Sequence, residues 1–196
     1  MAVEQAKRVM DLSEKHGFRQ YYEMAKGNCG AALIELGETG EGMALVQQSL
    51  DASDMAGVRY NRTVQFAVLG EGATAARKWE DAATYLDRAV TEVQATEERW
   101  YEAEIHRFKG ELVLARNGVA EATQAQSCFN DSLEVARQQQ AKCWELRTII
   151  SLARLWQRQA KLKEAYNLLT PIYNWFTEGF DTRDLREAKA LLEELS

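Results

Sequence analysis

Eight side chains in this chain are equipped for binding chemistry: Tyr60, Trp100, Glu104, Arg107, Glu111, Arg147, Arg154 and Arg158. Glu104, Arg107 and Glu111 are three and four residues apart, and Arg147 and Arg154 are seven apart, so each set runs along one helical stripe. Arginine presents a planar fork that matches a carboxylate or a phosphate. Tyr60 and Trp100 add contact area at a low cost in side-chain entropy. Together these residues predict a groove for a peptide with acidic groups. The alternative left open is internal: Glu104 and Glu111 pair with Arg107, Arg147 or Arg154, because opposite charges at helical spacing commonly meet each other.

Catalytic and metal chemistry finds less support. His106 has no cysteine or second histidine at ligand spacing, and His16 is remote, so His106 reads as a packing or hydrogen-bonding residue. Cys29, Cys128 and Cys143 are odd in number and widely spaced, and they are expected to be reduced, buried thiols. There is no Ser–His–Asp or Cys–His arrangement and no glycine-rich phosphate loop. The expectation is a non-enzyme without cofactor or metal. A net charge of −6 argues against nucleic acid as a partner, although residues 141–163 hold six cations against Glu145 alone. No run of 18 apolar residues exists to span a membrane, and no apolar leader is seen, which predicts a cytoplasmic protein.

The elements that must position these side chains follow from a repeat. Leu69-Gly70-x2-Ala73-x8-Ala82-x3-Leu86-x2-Ala89 has an ungapped copy 40 residues upstream, Cys29-Gly30-x2-Leu33-x8-Gly42-x3-Val46-x2-Ser49. A third copy starts at Gly110 and continues, after an insertion of three residues between Asn117 and Ala122, with Ala125, Phe129 and Ser132. A fourth is Leu152-Ala153-x2-Trp156-x8-Ala165-x3-Leu169-x2-Ile172. Gly30, Gly70, Gly110 and Ala153 mark where each first helix is crossed by its second, at Gly42, Ala82, Ala125 and Ala165. Val46, Leu86, Phe129 and Leu169 fill the space alongside. A mid-helix glycine costs about 1 kcal/mol relative to alanine, so glycines in register imply a steric requirement.

The composition favours helix throughout and shows no alternating, β-branched strands. Helices are expected at about 2–15, 18–36, 40–55, 58–75, 79–95, 98–116, 120–138, 141–158, 162–178 and 183–195. Pro171 should bend the ninth, Asp181 or Thr182 should cap the tenth, and Gly17 and Gly57 suit helix ends. Trp79, Trp144, Trp156 and Trp175 are expected at helix interfaces. Ala2, Ala6 and Val9 match Gly42, Val46 and Ser49, so residues 1–16 read as a second helix whose first is missing. The expected organisation is one domain over 1–196: a half repeat (1–16), four repeats (17–56, 57–96, 97–139 and 140–179) and a capping helix (180–196). Val3, Val9 and Met10 on the uncapped half repeat would then be buried only by another chain, which gives homodimerisation as a further expectation.

The pattern resembles a tetratricopeptide repeat. From Arg99 onward, with Trp100-Tyr101, His106-Arg107-Phe108, Trp144-Glu145-Leu146-Arg147, Leu155-Trp156 and Pro171-Ile172-Tyr173-Asn174-Trp175-Phe176, it is similar to the C-terminal tetratricopeptide region of large bacterial signalling proteins. In that family a class III adenylate/guanylate cyclase or a DNA-binding regulator domain is joined to a P-loop ATPase module. The resemblance implies an all-α, right-handed superhelical solenoid of about ten helices. It implies a protein- or peptide-binding module whose first helices line a concave face, with regulatory or scaffolding work. This chain lacks the P-loop and the cyclase domain, so no catalytic activity carries over. A small-molecule or nucleotide sensor, suggested by Arg107, Arg147 and Arg154, is the alternative of another class.

Overall fold

The computed structural model describes residues 1–196 and is entirely helical. Its α-helices are α1 (Ala2–His16), α2 (Arg19–Glu35), α3 (Thr39–Met55), α4 (Arg62–Ala75), α5 (Trp79–Thr96), α6 (Glu102–Asn117), α7 (Ala122–Gln138), α8 (Lys142–Arg158), α9 (Leu162–Tyr173) and α10 (Arg183–Leu195). The chain divides into two compact units, Met1–Arg99 and Trp100–Ser196.

In the first unit α2 pairs with α3 and α4 with α5, and α1 packs on α2. The small-residue register has a direct steric cause. A Cβ on Gly30 would stand 2.5 Å from the carbonyl oxygen of Gly42, and one on Gly42 would stand 2.6 Å from that of Gly30. A Cβ on Gly70 would meet Leu86 Cγ at 2.6 Å. The core follows the expected positions, with Val46, Leu86 and Ala82 buried. Val3 and Met10 pack onto Ala6, Cys29 and Leu33 and are half-buried within the chain, where the sequence left their burial to another chain. Val9 and Leu12 of α1 remain about half exposed.

In the second unit α6 pairs with α7 and α8 with α9, and α10 lies on α8 and α9. A Cβ on Gly110 would reach Phe129 Cε1 at 2.5 Å. The inserted residues form a short 3-10 turn, Gly118–Glu121, between α6 and α7. Leu185, Ala188, Leu191 and Leu195 give α10 a buried face that joins the core of α8 and α9.

Five expectations need correction. Helix α9 ends at Tyr173 and not near 178, running only two residues past Pro171. Helix α4 begins only at Arg62, since Asn61 takes a left-handed conformation (φ 67°). Thr182 does stand at the start of α10, but its hydroxyl donates backward to the Gly179 carbonyl and so does not cap the helix. Only Cys29 is buried, Cys143 is exposed, and Trp175 is 57% exposed.

Turns between the helices repeat as faithfully as the helices. Gly37, Arg77 and Ala160 are equivalent positions, all left-handed. The residue after each sends its N–H back to a carbonyl five residues earlier, at Leu33, Ala73 and Trp156.

Candidate binding sites

Seven of the eight singled-out residues belong to the unit Trp100–Ser196. Helix α6 places Glu104, Arg107 and Glu111 on one face, and α8 brings Arg147 and Ser151 to it. Glu104 is fully buried. Arg107 grips it with both prongs of its fork, Nε to Oε1 at 2.8 Å and Nη2 to Oε2 at 2.9 Å. Arg147 Nη1 approaches the same carboxylate at 3.4 Å, and its Nε donates to Asp184 of α10 at 2.7 Å. A buried carboxylate is tolerated only when paired and hydrogen-bonded in this way. Burial by itself would make Arg147 easier to deprotonate, but Glu104 and Asp184 outweigh it and hold the guanidinium firmly charged.

Glu111 accepts a hydrogen bond from the Ser151 hydroxyl at 2.6 Å, with Arg107 Nη1 at 3.9 Å. Arg154 pairs with Glu187 of α10 at 3.0 Å. The internal pairing that was left open is therefore what Glu104, Glu111, Arg107 and Arg147 adopt. Arg154 stands apart from it, with a partner that was not foreseen. Asp184, Glu187 and Ser151 were missed. The available signal was the cationic excess of residues 141–163 beside a final helix whose acids recur at helical spacing. Trp100 is 49% exposed in a 3-10 turn ahead of α6, and Arg158 is exposed at the end of α8.

Next to this network is a hydroxyl junction. The Ser132 hydroxyl donates to the Ala103 carbonyl at 2.7 Å and meets the Thr148 hydroxyl at 2.7 Å, and Thr148 also reaches the Trp144 carbonyl at 2.9 Å. The Trp144 indole lies edge-on to Tyr101, 5.4 Å between centroids, and its Nε1 donates to the Trp100 carbonyl at 3.1 Å. On α6, burial pushes the His106 imidazole below its ordinary range against the pull of Asp131 and Glu102.

Tyr60 belongs to the unit Met1–Arg99, in the turn ahead of α4. It borders a cavity of about 300 Å³ between α2, α3 and the start of α4. Met24, Ala52 and Val58 supply apolar wall, Ser49 and Gln65 supply polar wall, and Arg19 and Glu23 add charged groups to it. The Ser49 hydroxyl donates to the Glu23 carbonyl at 2.7 Å and accepts from Gln65 Nε2 at 2.8 Å. Ser49 has only one proton to give, so the side-chain amide of Gln65 is fixed with its nitrogen toward Ser49. Its Oε1 is buried without a hydrogen-bond partner. Sequence reasoning passed over Gln65, because a glutamine on a helix carries no motif.

No family model matches the chain, and no curated protein is significantly similar to it. No helix is long and apolar enough to cross a membrane.

Proposed function

We propose that the chain is a non-catalytic binding module built from tetratricopeptide-type repeats, forming a right-handed superhelix that takes a protein or peptide on the concave face of its first helices. The observation that carries this reading is the fixed polar face of α6 and α8, where the buried Glu104 anchors Arg107 and Arg147 and the flanking Trp100 and Arg154 stay about half exposed. Aromatic and arginine side chains held in place before binding are the usual anchors of an interface. The steric register of Gly30, Gly70 and Gly110 supports the repeat type. The resemblance to the repeat regions of bacterial cyclase–ATPase signalling proteins supports a regulatory or scaffolding role.

Selection of a random peptide library on the immobilised protein, followed by calorimetry, tests this. Enriched peptides should carry acidic residues. Trp100→Ala and Arg154→Ala should each weaken them at least tenfold, and Glu187→Gln, which releases Arg154, should tighten them. No enriched sequence, or peptides indifferent to all three substitutions, would overturn the reading.

A further inference from the structure

We propose that the open face of α1 and α2 is the interface through which two copies of this chain pair, the α1 helix of each standing where the other's half repeat lacks a first helix. This interface shares no residue with the polar face of α6 and α8, so it stands whether or not that face takes a peptide.

The repeat register shows which positions a first helix covers. Helix α1 leads into α2 through the same turn that joins α3 to α4 and α7 to α8: Phe18, Val58 and Ala141 each send their N–H back five residues, to Ser13, Ser53 and Ala136. It therefore stands as a second helix. In α3, α5 and α7 the positions equivalent to Ala2, Gln5, Val9 and Leu12 are all buried or half-buried, as at Gly42, Leu45, Ser49 and Ala52. On α1 all four are exposed, Val9 by 45% and Leu12 by 50%. They recur at spacings of three and four, the seam of a helix–helix contact.

Helix α2 lacks the same neighbour. Tyr21 is 61% exposed, whereas its equivalent Trp144 donates to the Trp100 carbonyl and lies edge-on to Tyr101, at the entry to the preceding first helix. Asn28 is exposed, whereas its equivalents Val68, Phe108 and Ser151 are buried, and Ser151 donates to Glu111 of the preceding first helix.

The charges of α1 select a second α1 as the occupant, antiparallel, as the two helices of a repeat are. In the register that sets Val9 against the partner's Val9, Leu12 falls level with the partner's Gln5, Lys15 with the partner's Glu4 and Arg8 with the partner's Asp11. Each of these pairs forms twice about the two-fold axis. Arg8 also approaches the partner's Arg8, but it has the partner's Asp11 level with it and its own Asp11 one turn away. The same register carries the partner's Met1 toward Tyr21. Apolar contact along the seam supplies affinity, and the ion pairs fix the register.

Sedimentation of the full chain over a range of concentrations should show a monomer passing to a dimer. Val9→Asp, at an exposed position, should abolish the dimer. Lys15→Glu and Glu4→Lys should each weaken it about tenfold. An equimolar mixture of those two variants should pair as tightly as the wild type, because every mixed pair again joins an acid to a base. Glu4 and Lys15 lie roughly 16 Å apart along one helix, so no contact within a chain reproduces that rescue. The mass of a single chain persisting to about 1 mM would overturn the proposal without recourse to any variant. A dimer indifferent to Val9→Asp, or a mixture no tighter than its components, would overturn it equally.

Discussion

The two units answer one backbone pattern with opposite chemistry. Glu104, Arg107 and Arg147 in Trp100–Ser196 correspond by register to Met24, Gly27 and Val64 in Met1–Arg99. The first set is a buried carboxylate clasped by two guanidiniums. The second set has no charge and far less volume at Gly27, where a Cβ would already stand 3.0 Å from the Ser49 hydroxyl. One further pair of positions is bridged in both units with the charges exchanged: Asp54 with Arg62, and Arg137 with Glu145. The register therefore fixes which backbone segments approach, and leaves open what fills the space between them. One unit fills it with side chains of its own, and the other keeps a cavity.

The sharpest way to break this comparison is to remove the anchor of the filled unit. Glu104→Ala leaves Arg107 and Arg147 without their shared partner, and deleting one member of a buried ion network costs about 3–5 kcal/mol. Urea denaturation should show that loss. Hydrogen exchange should place the lost protection in α6 and α8, with the amides of α2 and α3 little changed. The equivalent Met24→Ala should cost less, because Met24 is only half-buried beside the cavity. Equal losses from the two substitutions would remove the contrast.

The next effect concerns the steric frame that both units share. At Gly30 the obstacle to a Cβ is the Gly42 backbone, which has no rotamer to change, whereas at Gly70 it is the tip of Leu86. Overpacking costs about 1–3 kcal/mol, and Gly30→Ala should lie near the top of that range. Gly70→Ala should lie near the bottom, with its gain in helix propensity offsetting part of the loss. Differential scanning calorimetry on the two variants separates them. A larger loss at Gly70 would mean that the helices of α2 and α3 can part more easily than their contact implies.

A smaller, pH-dependent effect distinguishes the exchanged ion pairs. Burial would raise the Glu145 carboxyl, but hydrogen bonds from Lys142 at 2.6 Å and Arg137 at 2.9 Å outweigh it and hold the pKa below its usual 4.5. A carboxyl depressed in the folded state contributes stability that is present above its unfolded pKa and lost as pH falls through the folded one. The wild type should therefore lose stability below about pH 4.5 more steeply than Glu145→Gln. A parallel acid limb in the two proteins, measured as melting temperature against pH, would show that the pairing contributes nothing.

How far these features could be read from the chain depends on whether they have a period. The four-copy register, the helix hairpins and the three-residue insertion were legible, because close approach demands small residues at fixed places. The polar stripe was legible as a set, since Glu104, Arg107 and Glu111 share a face by spacing alone. Its partners were not, because Asp184 and Glu187 arrive from α10, and which acid meets which arginine is decided by tertiary packing. The cavity was illegible for a different reason. It opens beside Asn61, where the other unit carries Trp144, and the absence of a side chain has significance only against a filled counterpart.

The smallest expected effect tests the turns, where the repeats differ from one another. Gly17 follows the half repeat and Gly57 the first full repeat, with left-handed φ of 71° and 67°, and the equivalent positions after the second and third repeats are Glu97 and Gln140, at 58° and 55°. Within the pairs, Gly37 at 88° corresponds to Ala160 at 60°. A side chain in this conformation costs about 1–2 kcal/mol, and glycine loses part of that advantage by being freer in the unfolded chain. Gln140→Gly and Ala160→Gly should each therefore stabilise the protein by about 0.5–1 kcal/mol, and Gly57→Ala should destabilise it by a similar amount. If the glycine substitutions destabilised instead, the backbone bonds that close these turns, from Ala141 N–H to Ala136 and from Lys161 N–H to Trp156, would need the stiffer residue to hold them. The left-handed turns at Gln140 and Ala160 would then be enforced by packing, and those at Gly17, Gly37 and Gly57 by glycine.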